Sequence, residues 1–172
     1  MPLTRADLLD RLSQLGIDTT TTDHPAVFTV GESEELHDQI PGGHSKNLFL
    51  KDKKDRVFLV TVLADATVDL KKIHTLIGAQ GRVSFGKPDL LMELLGVEPG
   101  SVTPFGIVND REGRVSVILD AALMAHDVVN FHPLENTATT SIASQDMVRF
   151  LTEEGHPPKI LAVTDEAIAA GL

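Results

Sequence analysis

The sequence predicts an α+β fold: one domain in which a mixed and mostly antiparallel sheet is surrounded by helices. Stretches of strand length and stretches with helical spacing follow one another irregularly, without a strict βαβ order and without an internal repeat. The chain has 172 residues, which is enough to bury one sizeable core. Because no segment has the composition of a linker, residues 1–172 are expected to form a single domain.

The first elements are predicted from helix caps and β-branched residues. Residues 4–7 form a capping box, and leucines at helical spacing follow it. Residues 18–28 are rich in β-branched side chains, which predicts a strand, and His24-Pro25 within them indicates an edge strand or a bend. A second capping box at 29–32 starts a short helix that residues 41–43 (PGG) end.

Apolar alternation and helical spacing predict the later elements. Residues 47–51 and 56–63 alternate on either side of a polar turn, which predicts a β-hairpin with a basic tip. Two helices are expected to end at Gly78 and Gly96, the second with Pro88 near its start. The remaining expectations are strands at 103–109 and 114–119, an extended segment at 128–142, a helix from Ser144 to Gly155 and a last strand at 159–163.

The composition excludes several classes of protein. The chain has no cysteine, so it has no disulfide, no thiolate metal site and no cysteine nucleophile. The first sixteen residues carry charges through their apolar positions, unlike a signal or transit peptide, and no apolar run is long enough to span a membrane. A cytoplasmic protein without a membrane partner is therefore expected.

The charge is distributed unevenly along the chain. The net charge is −10, which argues against general DNA binding. Residues 46–87, however, contain nine basic and four acidic residues, so this window carries +5 and the remainder −15. The window is either a solvated face or a docking site for a phosphate backbone.

Common catalytic and cofactor motifs are absent from the sequence. The seven histidines form no HxxxH, HxH or HExxH pattern, so no metal site is predicted. The serine-hydrolase elbow GxSxG and the phosphate-binding GxxxxGK[ST] loop are missing, and residues 78–81 do not match a dinucleotide fingerprint. No cofactor is expected.

Three stretches remain that combine small residues with hydrogen-bond donors. They are residues 44–47 (HSKN), 100–106 (GSVTPFG) and 130–141 (NFHPLENTATTS). Each joins a loop to a predicted strand, and each by itself could be an ordinary turn. Together they have the makeup of a pocket in which backbone amides and a fixed cation hold an anion or a carbonyl group.

The three stretches resemble the YbaK/prolyl-tRNA-synthetase-associated editing domains. The resemblance lies in Lys46-Asn47 before an apolar strand, the GxxxP of residues 100–104, and an FHP motif followed by Asn136 and Thr139. It extends from about Leu3 to Ala162 and is greatest with the free-standing Ala-tRNA(Pro) deacylases of the ProXp-ala or PrdX type. It implies a sheet of barrel-like curvature and a cytosolic hydrolase that removes alanine from proline tRNA.

The resemblance also implies roles for individual residues. Lys46 matches the family's essential lysine, Gly100 the first glycine of its GxxxP loop, and His132 the histidine of its FHP motif, so these three are the expected catalytic residues. Substrate-binding residues are expected within or beside the motifs, at Ile40, His44, Asn47, Pro104, Gly106, Asn136 and Thr139, with Phe49 and Val102 as further pocket candidates. Contacts to the tRNA backbone are expected from Lys51, Lys53, Lys54, Lys71 and Lys72.

These residues lead to a hypothesis of direct hydrolysis of an aminoacyl ester. Lys46 would anchor the tRNA end or support the carbonyl charge, and loop amides near Gly100 and Gly106 would hold the carbonyl oxygen. The substrate partner would be the acceptor end of tRNA(Pro), with prolyl-tRNA synthetase or an elongation factor as a further partner. The alternatives are a module that binds aminoacyl-tRNA or another nucleic acid without hydrolysis, and a metal-dependent esterase.

Overall fold

The computed structural model describes residues 1–26 and 30–172 and has the expected α+β architecture. Eight described strands form one sheet: β1 Thr19–Asp23, β2 Gly43–Lys51, β3 Val57–Leu63, β4 Ser84–Phe85, β5 Val115–Asp120, β6 Val128–Phe131, β7 Ala138–Ala143 and β8 Lys159–Leu161. The described helices are α1 Arg5–Gln14, α2 Val30–Gln39, α3 Ile73–Ile77, α4 Pro88–Leu95, α5 Ala121–Met124, α6 Ser144–Glu153 and α7 Asp165–Ala169. None of these helices is long and apolar enough to cross a membrane.

The sheet is mixed, with more antiparallel than parallel pairings. Its order is β1-β7-β6-β2-β3-β5-β8, and β4 attaches to β2. The pairs β1/β7, β6/β7, β2/β3 and β2/β4 are antiparallel, whereas β2/β6, β3/β5 and β5/β8 are parallel. Strand β2 lies at the centre: it pairs with β3 from Ser45 to Lys51, with β6 at its first two residues and with β4 at its last two.

Local signals predicted several of these elements correctly. The Thr4 hydroxyl accepts a hydrogen bond from the Asp7 amide, and the Asp7 carboxylate accepts one from the Thr4 amide, which is the predicted capping box. Gly78 and Gly96 end α3 and α4 in the left-handed conformation, as predicted from sequence. The hairpin of β2 and β3 is also confirmed.

The strand predicted at residues 103–109 is wrong. Residues Pro104–Asn109 form a 3₁₀ helix, and the Thr103 hydroxyl accepts a hydrogen bond from the Phe105 amide at its start. All side chains from Pro104 to Val108 are buried, so the apolar run carries no period that distinguishes a strand from a helix.

Other boundaries differ from the sequence-based expectations. The extended segment at 128–142 is two antiparallel strands, β6 and β7, joined by residues 132–137. The strand expected at 18–28 ends at Asp23, before His24-Pro25, and it pairs with β7. The capping box at 29–32 begins at Thr29, which lies outside the described residues, as does Phe28.

The core consists of two apolar clusters, one on each side of β3. Val57 and Leu59 belong to a large cluster with α1, α4 and α6, whereas Phe58, Val60 and Val62 belong to a smaller cluster with α3. A strand that is buried on both sides has no polar alternation, which explains the continuous apolar run of β3.

A buried carboxylate organises the basic turn between β2 and β3. One oxygen of Asp52 accepts hydrogen bonds from the amides of Lys54 and Arg56, and the other accepts from the Gln80 amide and Arg56 Nε. Burial acts to raise the pKa of Asp52, but these hydrogen bonds outweigh it and lower the pKa to about 2. The turn and the loop around Gln80 are thereby joined.

We predict that Asp52→Asn destabilises the fold, because an amide nitrogen cannot accept the hydrogen bonds of Gln80 and Arg56. The free energy of unfolding should fall by about 2 kcal/mol at neutral pH in urea denaturation. The folded pKa lies below the unfolded value of 3.8, so the stability supplied by ionised Asp52 should be lost as the pH falls from 3.8 to about 2. Asp55→Asn is the control: Asp55 is exposed in the same turn, and the change should matter little.

Candidate functional site

One cavity brings together residues from two of the three stretches, 44–47 and 130–141, and none from the GxxxP loop. Its volume is ≈ 290 Å³, and its walls come from α2, β2, the residue after β3, β6 with the loop that follows it, and β7. The predicted site residues that line it are His44, Lys46, His132 and Thr139. The sequence therefore identified four side chains that the fold places around one space.

Lys46 provides the cation at this cavity. It lies on β2 opposite Val62, and its Nζ donates a hydrogen bond to the carbonyl oxygen of Ala66 at 2.6 Å. An ammonium group has three donors, so this contact fixes the side chain and leaves two donors for a ligand. Nearby, the Glu166 carboxylate accepts from the Thr67 amide, which lowers its pKa, and the charge of Lys46 lowers it further.

Two histidines stack on each other beside Lys46. The ring centroids of His37 and His44 are 4.1 Å apart with an interplanar angle of 22°. His44 Nε2 donates to the carbonyl oxygen of Ile40 at 2.7 Å, so Nδ1 is the acceptor nitrogen of its neutral ring. Burial lowers the pKa of both rings; the charge of His44 lowers that of His37 further, and the bond to Ile40 only partly opposes the shift of His44.

His132 forms the opposite wall, with its orientation fixed by the backbone. Its Nδ1 donates to the carbonyl oxygen of Ala138 at 3.2 Å, which leaves Nε2 as the acceptor of the neutral ring. Burial lowers the pKa of His132, and the hydrogen bond to Ala138 opposes this shift without reversing it. Thr139 Oγ1 lies 2.9 Å from His24 Nε2 and is held by that contact.

Asn130 and Ser45 support the cavity, although neither was among the predicted site residues. Asn130 is buried, and its amide nitrogen donates to the carbonyl oxygens of Pro41 and Gly43. Its side-chain oxygen accepts from the Ser141 hydroxyl, and its backbone oxygen accepts from Ser45. The only sequence signal was that Asn130 begins the third of the three stretches.

Gly42 makes this arrangement possible. Its φ is +105°, and a Cβ there would lie 2.7 Å from the carbonyl oxygen of Val128. Gly42 of the PGG sequence is thus required by a close approach between the entry to β2 and the start of β6. Ile40, just before it, is buried and lines a neighbouring cavity of ≈ 600 Å³ rather than the one that contains Lys46.

Asn47 faces away from Lys46 because successive side chains of a strand alternate. Its oxygen accepts from Thr61 Oγ1 at 2.7 Å, and its nitrogen donates to the carbonyl oxygen of Val102 at 2.9 Å. Asn47 therefore connects β2 to the GxxxP loop and does not line the cavity.

The structure places the GxxxP residues outside the lining of the Lys46 cavity. Gly100 is exposed in a 3₁₀ turn, Pro99–Ser101, close to the side chain of Asn136. Pro104 and Gly106 are buried, and the Gly106 amide donates to the Thr103 carbonyl oxygen. A Cβ at Gly106 would lie 2.9 Å from Leu95 Cβ, so this glycine is needed for packing.

The basic residues lie on the surface around the hairpin and α3. Lys53, Lys54, Lys71 and Lys72 are exposed. Lys51 is partly exposed, and its Nζ lies 3.4 Å from the Asp55 carboxylate. Within residues 1–26 and 30–172, no group of three or more potential ligands is arranged to hold a metal ion.

The family is decided by comparison with known proteins. Residues 24–150 match the model of the aminoacyl-tRNA editing domain. The chain belongs to the aminoacyl-tRNA editing domain family. This result confirms the resemblance on which the sequence-based interpretation rests.

Relatives of this editing domain cover nearly the whole chain. The prolyl-tRNA synthetase associated domain-containing protein 1 of Danio rerio is 41% identical over 160 residues, covering 92% of this chain and 86% of that protein. The prolyl-tRNA editing protein ProX of Acetoanaerobium sticklandii is 32% identical over 155 residues, covering 90% of this chain and 94% of that protein. A solved structure described as a candidate trans-editing enzyme for prolyl tRNA synthetase shares the fold, with a TM-score of 0.68 at 21% identity. The match covers 94% of this chain and 99% of that one.

We predict that the imidazoles of His37, His44 and His132 titrate below 6.5 in the folded editing domain, because burial disfavours their charged forms. The unfolded chain then binds more protons just below pH 6.5, so stability should decrease as the pH falls through this range. Histidine NMR titration and urea denaturation at about pH 7.5 and about pH 5.5 measure the two effects. Titration midpoints above 6.5 for these rings would contradict the prediction.

Proposed function

We propose that this protein is a trans-editing deacylase that hydrolyses the ester of mischarged tRNA(Pro), with Ala-tRNA(Pro) as its substrate. The observation that carries the proposal is the convergence of Lys46, His44, His132 and Thr139 on one cavity. Membership in the editing-domain family and the similarity to a prolyl-tRNA editing protein support the substrate class.

The cavity has groups suited to ester hydrolysis by water. Lys46 would bind a phosphate or sugar oxygen of the terminal nucleotide, or the carbonyl oxygen on which negative charge develops. The neutral rings of His44 and His132 each have an acceptor nitrogen that can orient a water molecule or a ribose hydroxyl. The chain has no cysteine and no recognisable serine triad, so attack by water without a covalent enzyme intermediate is proposed.

The carbonyl oxygen of the substrate ester would be held by a group other than the loop amide that the sequence led us to expect. Gly106 was expected to supply a loop amide, but that amide donates to Thr103 inside a buried 3₁₀ helix. Lys46 and the polar side chains that line the cavity are available to donate to this oxygen instead. We therefore assign charge stabilisation to Lys46.

Selection for alanine would depend on the size of the cavity. Attraction for a single methyl group discriminates by only about 1–3 kcal/mol, whereas exclusion of a larger side chain can be much stronger. The cavity of ≈ 290 Å³ is bounded by Phe131 and by a Thr139 side chain that His24 holds in place. We propose that these walls exclude the proline ring of correctly charged tRNA.

We predict that Lys46→Ala lowers kcat/KM for Ala-tRNA(Pro) by at least about 100-fold, because the transition state loses its cation. The measurement is the release of alanine from charged tRNA, with Pro-, Cys- and Ser-charged tRNA in parallel. Lys159→Ala is the matched control, because Lys159 is an exposed strand-entry lysine on β8.

The same assay separates the alternatives. Hydrolysis should be unaffected by a chelator; sensitivity to the chelator would instead support a metal-dependent esterase. Tight binding of aminoacyl-tRNA by the wild type without turnover would support a binding module and contradict the deacylase proposal.

The exposed lysines near the hairpin are proposed to contact the tRNA backbone. We predict that raising the salt concentration from about 50 mM to about 200 mM increases KM for Ala-tRNA(Pro) several-fold, because the release of counterions into a more concentrated salt solution is less favourable. A Lys53→Ala/Lys54→Ala variant should show a higher KM and a weaker salt dependence. An unchanged KM over this range would contradict the electrostatic contact.

A further inference from the structure

Phe85 is an unusual phenylalanine in this chain because its side chain is exposed. Its relative exposure is 58%. The other phenylalanines of the described residues are at most 5% exposed; they are Phe49, Phe58, Phe105, Phe131 and Phe150. Burial of an aromatic ring is strongly favourable, so an exposed ring offers apolar area that a ligand can cover.

The backbone holds Phe85 in place while more than half of the residue remains exposed. It lies on β4, where Phe85 pairs with Leu50 and Ser84 with Lys51. The following residue, Gly86, donates to the carbonyl oxygen of Phe49 at 2.9 Å. A Cβ at Gly86 would overlap the Phe49 ring, so the chain approaches β2 as closely as glycine allows. The exposed ring is thus presented on a fixed strand.

Strand alternation places Phe85 on the same face of the sheet as Lys46. Lys46 and Leu50 are four residues apart on β2 and so point to the same side. Phe85 is the cross-strand partner of Leu50 and shares that side. The distance along β2 is ~13 Å, at about 3.3 Å per residue. This length spans about four nucleotides of a stacked single strand.

Basic residues are close to Phe85 in sequence. Arg82 and Lys87 flank it in sequence, and both are exposed. The stem of Lys53 packs against Gly81, and the Lys53 amide donates to the carbonyl oxygen of Gln80, so the basic hairpin tip lies against the same loop. The window of residues 46–87 carries +5 in a chain of net charge −10. An exposed ring among cations matches the chemistry of a single-stranded nucleic acid, whose bases stack while its phosphates are neutralised.

We propose that Phe85 stacks on an unpaired base of the single-stranded acceptor end of the tRNA, while the Lys46 cavity holds the terminal aminoacyl-adenosine. This proposal rests on the proposed function, because it assumes a tRNA substrate. Stacking on an aromatic ring tolerates any base, so Phe85 contributes affinity and position rather than sequence recognition. The chain has seven phenylalanines and neither Trp nor Tyr, so rings that could stack on a base are few, and Phe85 would supply one.

The experiment compares Phe85→Ala, Phe85→Leu and Phe85→Trp on two substrates, Ala-tRNA(Pro) and the 3′-alanyl ester of adenosine. The Ala and Leu variants should have a KM for the tRNA about 5- to 150-fold higher than that of the wild type, with little change in kcat. The Trp variant should have a KM close to that of the wild type. The adenosine ester is too short to reach Phe85, so its hydrolysis should be unchanged by all three. Ile160→Ala is the matched control, since Ile160 is a 47% exposed apolar residue on the edge strand β8.

A binding measurement tests the contact without turnover. The probe is an acceptor-stem hairpin with 2-aminopurine at its unpaired position next to the stem. Its fluorescence should be quenched by the wild type and by Phe85→Trp, but not by Phe85→Leu. Urea denaturation confirms that each variant is folded.

The outcomes distinguish this proposal from the proposed function. If the wild type hydrolyses Ala-tRNA(Pro) and the Ala and Leu variants match it in KM and quenching, the stacking contact is refuted and the deacylase stands. If Leu retains tRNA affinity while Ala does not, the side chain acts as an apolar dock rather than a stacking ring, which also refutes the proposal. If the wild type hydrolyses no mischarged tRNA, the proposed function fails, and absence of quenching would then refute the stacking contact separately.

Discussion

The pairing of β2 with three other strands is the constraint on which the site depends. β3 follows β2 from Ser45 to Lys51, while β6 and β4 divide its other edge. Alternation along this one strand directs Lys46 to the cavity and Asn47 to the other side, where it holds the loop at Val102. A register shift of one residue would exchange these side chains, so the pairing decides whether the cavity contains its cation.

The electrostatics of the cavity result from unequal environments of neighbouring groups. Lys46 reaches the solvent edge and donates to a backbone oxygen, which holds its ammonium group beside the cavity. His44 and His132 are more enclosed, and burial lowers their pKa, so at neutral pH they present acceptor nitrogens and not further cations. A fixed cation beside neutral acceptors can hold an anionic or carbonyl oxygen and orient a water molecule in the same small space.

The basic surface is organised by a buried acid. Asp52 holds the hairpin turn and the loop at Gln80 together through four hydrogen bonds, so that the neighbouring lysines are presented from a rigid backbone. The same loop leads to Phe85 through Arg82. The backbone that carries these basic residues is therefore held by a carboxylate. The pKa of Asp52 is lowered to about 2, so the carboxylate remains ionised at any physiological pH.

Sequence by itself determined the features that depend on neighbouring residues. These include the capping box at Thr4, the glycines that end two helices, the β2/β3 hairpin, and the family to which the chain belongs. Only the tertiary structure decided that residues 104–109 form a 3₁₀ helix, that the Gly106 amide is occupied, and that Phe85 is left exposed. It also revealed Asn130, whose partners Pro41 and Gly43 are separated from it by 89 and 87 positions. Contacts between residues so far apart in sequence leave no local pattern, because they arise only when the strands pair.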